Sequence, residues 1–167
     1  MFDGTVRMRF KHYIFDWGDT LMIDFPDAKG PMYLWEKVVA IPGACETLAA
    51  LHSFAGCHLA TNAKDSQEQD IVKALARVGL AEHLDNVFCF DNLGCRKPSA
   101  EFFTEIVRKI GADPGEIVMV GDSLDTDIAG ALDAGLHGIW FNPDGREGKL
   151  KGAGEIRSLK ELIKPKT

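Results

Sequence analysis

No run of apolar residues in this sequence approaches the roughly 20 that a membrane span needs. There is no basic excess either: 19 lysines and arginines stand against 25 aspartates and glutamates, for a formal charge of −6. That balance argues against a nucleic-acid backbone or an anionic membrane as the main partner. It leaves an anionic substrate open, because a local cation or metal can reverse the field inside one pocket. The four cysteines, at 45, 57, 89 and 95, form no C-x-x-C pair, and no histidine lies at zinc-ligand spacing from them. Buried reduced thiols are the reading for Cys57 and Cys89, and such usage suits a reducing cytoplasm. Basic residues Arg7, Arg9 and Lys11 precede Asp16 without an apolar segment between, so no signal peptide is expected. Neither G-x-x-x-x-G-K-[ST] nor G-x-G-x-x-G occurs, and there is no internal repeat or low-complexity tract.

What is present suits one domain, expected over residues 1–167: the length allows one real core, and 46% of the residues are hydrophobic. Residues 1–10 show no period and read as a frayed extension. Short apolar runs, His12 to Asp16, Cys57 to Thr61, Asn86 to Phe90, Ile117 to Val120 and Gly138 to Phe141, predict five strands. Between them lie helical periods. Cys45, Leu48 and Leu51 mark one helix, from Ala44 to Ser53. Ile71, Val72, Leu75 and Val78 mark a second, opened by Asp65 with Glu68 and closed by Gly79. Phe102, Phe103, Ile106, Val107 and Ile110 mark a third, between a Ser99 cap and Gly111. A fourth is predicted from about Leu124 to Ala134, with small residues for close approach. Ser158 and Glu161 predict a short last helix, about 158–164. Residues 22–42, with Pro26, Gly30, Pro31 and Pro42, predict a loop. Its Phe25, Tyr33 and Trp35 either pack on the core or form a flap that touches substrate. Alternating strands and helices imply right-handed crossovers and a mainly parallel α/β sheet covered on both faces.

A parallel sheet gathers its strand ends at one crevice. Four polar stretches stand at or just beyond such ends: Asp16, Thr61-Asn62, Lys97-Pro98 and Asp122 to Asp127. Together they hold what a phosphate monoester demands, since its oxygens repel an anionic nucleophile until they are neutralised and aligned. Asp16, Asp122 and the Gly18 carbonyl could ligate Mg²⁺, Lys97 could add a fixed positive charge, and Thr61 could donate to a phosphoryl oxygen. Each also has a plain structural reading. Asp16 could be a turn residue, Thr61-Asn62 a strand end, and Lys97 an exposed loop lysine. Asp122-Ser123 could be a helix N-cap, with Asp125 or Asp127 as first-turn charges. Their joint order is what favours the chemical one.

That order resembles the haloacid dehalogenase (HAD) superfamily on its phosphatase branch, from about His12 to Asn142. Phe15-Asp16-Trp17-Gly18-Asp19-Thr20-Leu21 resembles the first motif, D-x-D-G-T-L. Thr61-Asn62 resembles the second and Lys97-Pro98 with Phe102-Phe103 the third. Gly121 to Ile128 resembles the fourth, G-D-S-x-x-x-D-I. The resemblance implies a Rossmann-like three-layer αβα sandwich with a five-stranded sheet in the order 5-4-1-2-3 and no large cap domain. It implies that Asp16 is a nucleophile forming an aspartyl-phosphate. Asp16, Gly18 and Asp122 would hold Mg²⁺ with Asp127 in support, and Thr61, Asn62 and Lys97 would bind the substrate phosphate.

One position departs from the pattern. Gly18 stands where the family carries a general acid–base aspartate, and Asp19 stands where glycine is usual. Such proton transfer is typically worth about 10²–10⁴-fold. Asp19 is therefore the candidate acid–base group. The alternative is a weakened member that binds metal and a phosphorylated ligand or protein without turnover. A receiver domain with a phosphorylatable aspartate is a third reading, against which the Lys-Pro falls after the wrong strand. Short connections predict an open site, suited to a phosphorylated macromolecule, to a small molecule closed over by residues 22–42, or to a homo-oligomer in which a neighbouring subunit serves as lid.

Overall fold

The computed structural model describes residues 10–164; of the extension expected over 1–10, residues 1–9 lie outside them, and Phe10 is buried rather than frayed, its ring edge-on to Tyr13. Its strands are β1 (His12–Phe15), β2 (Gly56–Ala60), β3 (Asn86–Phe88), β4 (Ile117–Gly121), β5 (His137–Phe141) and β6 (Gly154–Ile156). They form one sheet in the order β3-β2-β1-β4-β5-β6, with every pairing parallel. The expected five-strand order is therefore present, extended by β6 on the edge. No pattern announces β6, because three residues are too few for an alternating one. It is held by Asn142, whose N–H donates to the Ile156 carbonyl and whose side-chain amide donates to Glu155.

The strands are apolar throughout because each face is covered. Tyr13, Phe15, Cys57, Leu59, Val118 and Val120 point to one layer, where they meet α1 (Ala44–His52) and α2 (Glu68–Arg77) through Leu48, Leu51, Ile71 and Leu75. The intervening residues Ile14, Ala60, Phe88, Ile117 and Met119 point to the other. There they meet Phe102, Phe103 and Ile106 on the longest helix, and Ala131 beyond β4. This is the period of two that a pleated strand imposes. The two helix layers carry crossovers that lead away from β1 in opposite directions. The chain therefore reverses its winding between β1 and β4, which is where a crevice opens at the carboxyl ends of the strands.

Several local expectations are corrected. Helix α2 is capped by Gln67 rather than Asp65, with Asp70 taking the Gln67 N–H at 3.0 Å. In α1 the buried stripe is Ala44, Thr47, Leu48 and Leu51, and Cys45 is exposed. The third strand stops at Phe88. Asn92 draws the Cys89 N–H to its side-chain oxygen and turns the chain into α3 (Phe90–Leu93). Helix α4 (Ala100–Ile110) begins as expected, with the Ser99 hydroxyl accepting from Phe102 N–H, and ends at Gly111 in the left-handed region. The segment expected as one helix is a π-helical turn over Leu124–Ala129 followed by α5 (Gly130–Asp133). The last helix is a 3₁₀ turn over Leu159–Leu162, with the expected box of Ser158 and Glu161.

Candidate active site

Asp16 follows β1 directly, and its N–H donates to the Val120 carbonyl of β4 at 3.0 Å, so its position is fixed by the sheet. Asp122 follows β4 and Thr61 follows β2. Lys97 arrives from the loop after α3, clamped by Asn62: the Asn62 amide donates to the Lys97 carbonyl and accepts the Lys97 N–H, each at 2.9 Å. The Lys97 ammonium, almost wholly buried, lies 2.7 Å from Asp16 Oδ1, 2.7 Å from Asp127 Oδ1 and 2.9 Å from the Ala60 carbonyl. An exposed loop lysine is thereby excluded. Burial opposes its charge, but the Asp16 and Asp127 carboxylates outweigh burial and hold its pKa above the usual lysine value.

Asp127 reaches this position because the π-helical turn carries it back over Gly121, where a Cβ would stand 2.2 Å from its Oδ2. The Ser123 N–H donates to that same oxygen at 3.2 Å, and the Ser123 hydroxyl caps the turn. So the cap reading of this stretch is right for Ser123, while Asp127 is a buried site group. Gly130 has a related role: a Cβ there would meet Phe103 at 2.6 Å and the Pro98 carbonyl at 2.8 Å, so only glycine lets α5 pack against the loop that carries Lys97.

Asp16, Asp122 and Asp127 each turn a carboxylate oxygen to a common point, within 4.8 Å of one another. Burial first, and then the charge of Asp16, push Asp122 up to about 7. Burial and Asp16 likewise push Asp127 up to about 6, against the pull of Lys97. One ammonium does not balance three carboxylates. An all-oxygen donor set with a surplus of negative charge fits a hard divalent cation. The Thr20 hydroxyl, at 3.5 Å from Asp16 Oδ2 and 3.4 Å from Asp122 Oδ1, braces the pair. The Asp122 carbonyl is held in turn by Trp140 Nε1 at 3.0 Å and Arg146 Nη2 at 2.6 Å.

Above these groups opens a cavity of about 420 Å³, walled by Trp17, Gly18, Asp24, Met32, Trp35, Thr61 and Lys64 among others. The Thr61 hydroxyl accepts from Ala63 N–H, which leaves its own proton to donate. Of the 22–42 aromatics, Trp35 packs on the core, as the first reading expects, and also lines the cavity. The segment is pinned by Arg77, which donates to the Tyr33, Trp35 and Glu36 carbonyls. Asp19 is placed differently from the other site candidates. It has φ 58°, the left-handed conformation that glycine adopts most easily, and its Oδ1 accepts the Asp24 N–H at 3.0 Å. It is not among the residues that wall the cavity; Asp24 is. Partial burial, then the Asp19 and Asp16 charges, raise the Asp24 pKa. Thr20 stood within the first motif without a role of its own, and no sequence pattern marked Asp24 or Arg146, since each sits in a loop without period.

A family model for haloacid dehalogenase-like hydrolases matches residues 18–135, more than half of the chain. The chain belongs to this family. Among curated relatives of this HAD-family chain, the ribulose-1,5-bisphosphate 5-phosphatase of Halopiger xanaduensis is 35% identical over 126 residues, covering 75% of this chain and 51% of that protein. The pyrimidine 5'-nucleotidase YjjG of Escherichia coli is 32% identical over 113 residues, covering 67% of this chain and 49% of that protein. This HAD chain thus spans about half the length of these two relatives. An uncharacterized protein from Listeria monocytogenes serotype 4b shares the HAD chain's fold with a TM-score of 0.78 at 26% identity, over 90% of this chain and 93% of that one. Among the described residues no helix is long and apolar enough to cross a membrane.

Proposed function

We propose that this chain is a Mg²⁺-dependent phosphomonoesterase acting through an aspartyl-phosphate. The observation that carries the reading is the Lys97 ammonium bound between Asp16 and Asp127 beneath an open cavity. It fixes one oxygen of Asp16 and aims a buried positive charge at the place where a phosphoryl group would sit. Mg²⁺, held by Asp16, Asp122, Asp127 and the Gly18 carbonyl, would supply neutralisation of the phosphoryl oxygens. Asp16 attacks phosphorus and displaces the leaving group. Thr61 and Lys97 donate to the oxygens on which charge collects. Asn62 acts through Lys97, whose backbone it holds from both sides.

The relatives named as sugar-phosphate and nucleotide phosphatases support a small phosphorylated substrate, for which Trp35 and Trp17 offer apolar wall. A cytoplasmic setting and a neighbouring copy over the open face belong to the same proposal. Gly18, which presents no side chain to the site, favours the second reading of a metal-binding protein without turnover.

The experiment is phosphate release from a panel of sugar phosphates and nucleoside monophosphates, with and without Mg²⁺, using Asp16→Asn as blank. Metal-dependent release that falls to baseline in the blank is expected. No release above the blank, together with Mg²⁺-dependent ligand binding, would establish the second reading instead.

A further inference from the structure

Hydrolysis of an alkyl phosphate needs a proton for the departing oxygen, and the groups described so far are poorly placed to give one. Lys97 is held in two ion pairs, Asp122 and Asp127 face the cation position, and the Asp19 carboxylate accepts the Asp24 N–H. Gly18, two residues after Asp16, has no side chain. Its missing side chain has a substitute in space. A Cβ built on Gly18 would stand 3.2 Å from Asp24 Cβ, 3.5 Å from its Cγ and 3.4 Å from its Oδ2. The carboxyl group of Asp24 therefore fills the volume into which a residue at position 18 would project, on the wall of the cavity that holds Asp16.

The chain returns there by an identifiable route. Asp19, in its left-handed conformation, donates its N–H to the Met22 carbonyl at 2.7 Å and accepts the Asp24 N–H. The Ile23 N–H donates to the Val39 carbonyl at 2.9 Å, which fixes the residue beside Asp24. Position 24 is thus locked by backbone hydrogen bonds, as a proton-transfer group requires.

We propose that Asp24 is the proton-transfer residue of this site, a role moved in space from position 18 to a residue six places on. The inference rests on the phosphomonoesterase reading. In the first step an Asp16 oxygen forms a bond to phosphorus, the bond from phosphorus to the ester oxygen breaks, and that oxygen takes its electron pair together with the Asp24 proton. In the second, the Asp24 carboxylate takes a proton from water as the water oxygen bonds to phosphorus and the Asp16–phosphorus bond breaks. The products are alcohol and phosphate, and Asp24 is protonated again.

The test times the first step alone, with enzyme in excess over substrate and Mg²⁺ present. Substrates are an alkyl phosphate, whose leaving group needs a proton, and p-nitrophenyl phosphate, whose leaving group does not. Asp24→Asn is expected to slow the alkyl ester by about 10²–10⁴-fold and the aryl ester by less than about tenfold. Gly18→Asp with Asp24→Gly, which restores a carboxylate at 18 and removes the Asp24 Cβ, Cγ and Oδ2 from the space it needs, is expected to regain at least tenfold over Asp24→Gly on the alkyl ester. Equal slowing of both esters, or an alkyl rate within about threefold of wild type in Asp24→Asn, overturns the assignment. Wild-type protein that releases nothing above Asp16→Asn overturns the phosphatase reading itself, a different result from either.

Discussion

The same strands end in two opposite treatments of buried polarity. At their carboxyl ends β1, β2 and β4 lead into Asp16, Thr61 and Asp122, and charge is concentrated there: an ammonium buried between carboxylates and two acids pushed up towards neutrality. Near their amino ends β1 and β2 carry His12 and His58, and there charge is avoided. The Asn86 side-chain amide lies 3.0 Å from His58 Nδ1, and His12 Nδ1 lies 3.2 Å from His58 Nε2. The chain of bonds closes with neutral rings: Asn86 donates to Nδ1, and the Nε2–H of His58 donates to His12. Burial first, then the neighbouring His12, push His58 down to about 4. Both ends obey one rule, that an ion out of water must be paired or neutralised. The carboxyl ends are left with negative charge to offer a cation, whereas the amino ends are satisfied without one.

The largest effect is expected where a charge would lose its partner. Lys97→Met leaves Asp16 and Asp127 buried without their ammonium, and breaking a buried pair in this way costs about 3–5 kcal/mol. Urea unfolding of the metal-free protein should show that loss, and turnover should vanish. Adding Asp127→Asn removes one of the abandoned carboxylates, so the double variant should unfold with less than the sum of the single losses. Additive losses would mean that the two side chains are not coupled, and the contrast between the two strand ends would fail.

How much of this could be read beforehand divides along the same line. The strands and the candidates Asp16, Thr61, Lys97 and Asp122 were visible, because periodic apolar runs and polar residues at their ends are local signals, while the order of the strands came only from the family resemblance. The pairing of Lys97 with Asp127 was hidden, since it depends on a π-helical turn that Gly121 permits rather than on spacing. Asp24 was hidden for a related reason: its role comes from a loop folding back on Gly18, a contact that no pattern within residues 16–24 announces. The edge strand β6 and the cap at Gln67 were missed because three residues, or a side chain two places from a better-known capper, carry too little information. At the amino ends, His12 and His58 lie 46 residues apart and meet only through the register that sets His12 opposite Gly56.

A smaller effect should appear at the amino ends as acid is added. The folded-state pKa of His58 lies below its unfolded value of about 6.5. Its contribution is therefore fully present above pH 6.5 and is lost as pH falls towards 4, because the unfolded chain binds the proton more readily. A shift of this size corresponds to about 3 kcal/mol across that window. Asp85 and Glu116 favour charged histidine here, while Lys11 and His52 oppose it. Asp122 and Asp127 also take protons in this window, with the opposite sign, and do so equally in both proteins, so urea unfolding of wild type and His58→Gln is compared at pH 7 and at pH 5: the stability of wild type relative to the variant should be smaller at pH 5. An unchanged difference would place the acid sensitivity elsewhere.

The smallest change sharpens the comparison most directly, because the same methyl group can be added at either end. At Gly56 a Cβ would stand 2.4 Å from His12 Nδ1 and 3.0 Å from His58 Nε2. At Gly121 it would stand 2.2 Å from Asp127 Oδ2. Overpacking of this kind costs about 1–3 kcal/mol, so Gly56→Ala and Gly121→Ala should lower stability by similar amounts. They should differ in function. Gly121→Ala displaces Asp127 from Lys97 and from the shared carboxylate point, so the Mg²⁺ concentration for half-maximal activity should rise and turnover should fall. Gly56→Ala disturbs a histidine pair at the far end of the strands and should leave Mg²⁺ dependence as it is. If both variants altered the Mg²⁺ dependence alike, the strands would be transmitting strain from end to end, and the two ends could not be treated as separate solutions to the same problem.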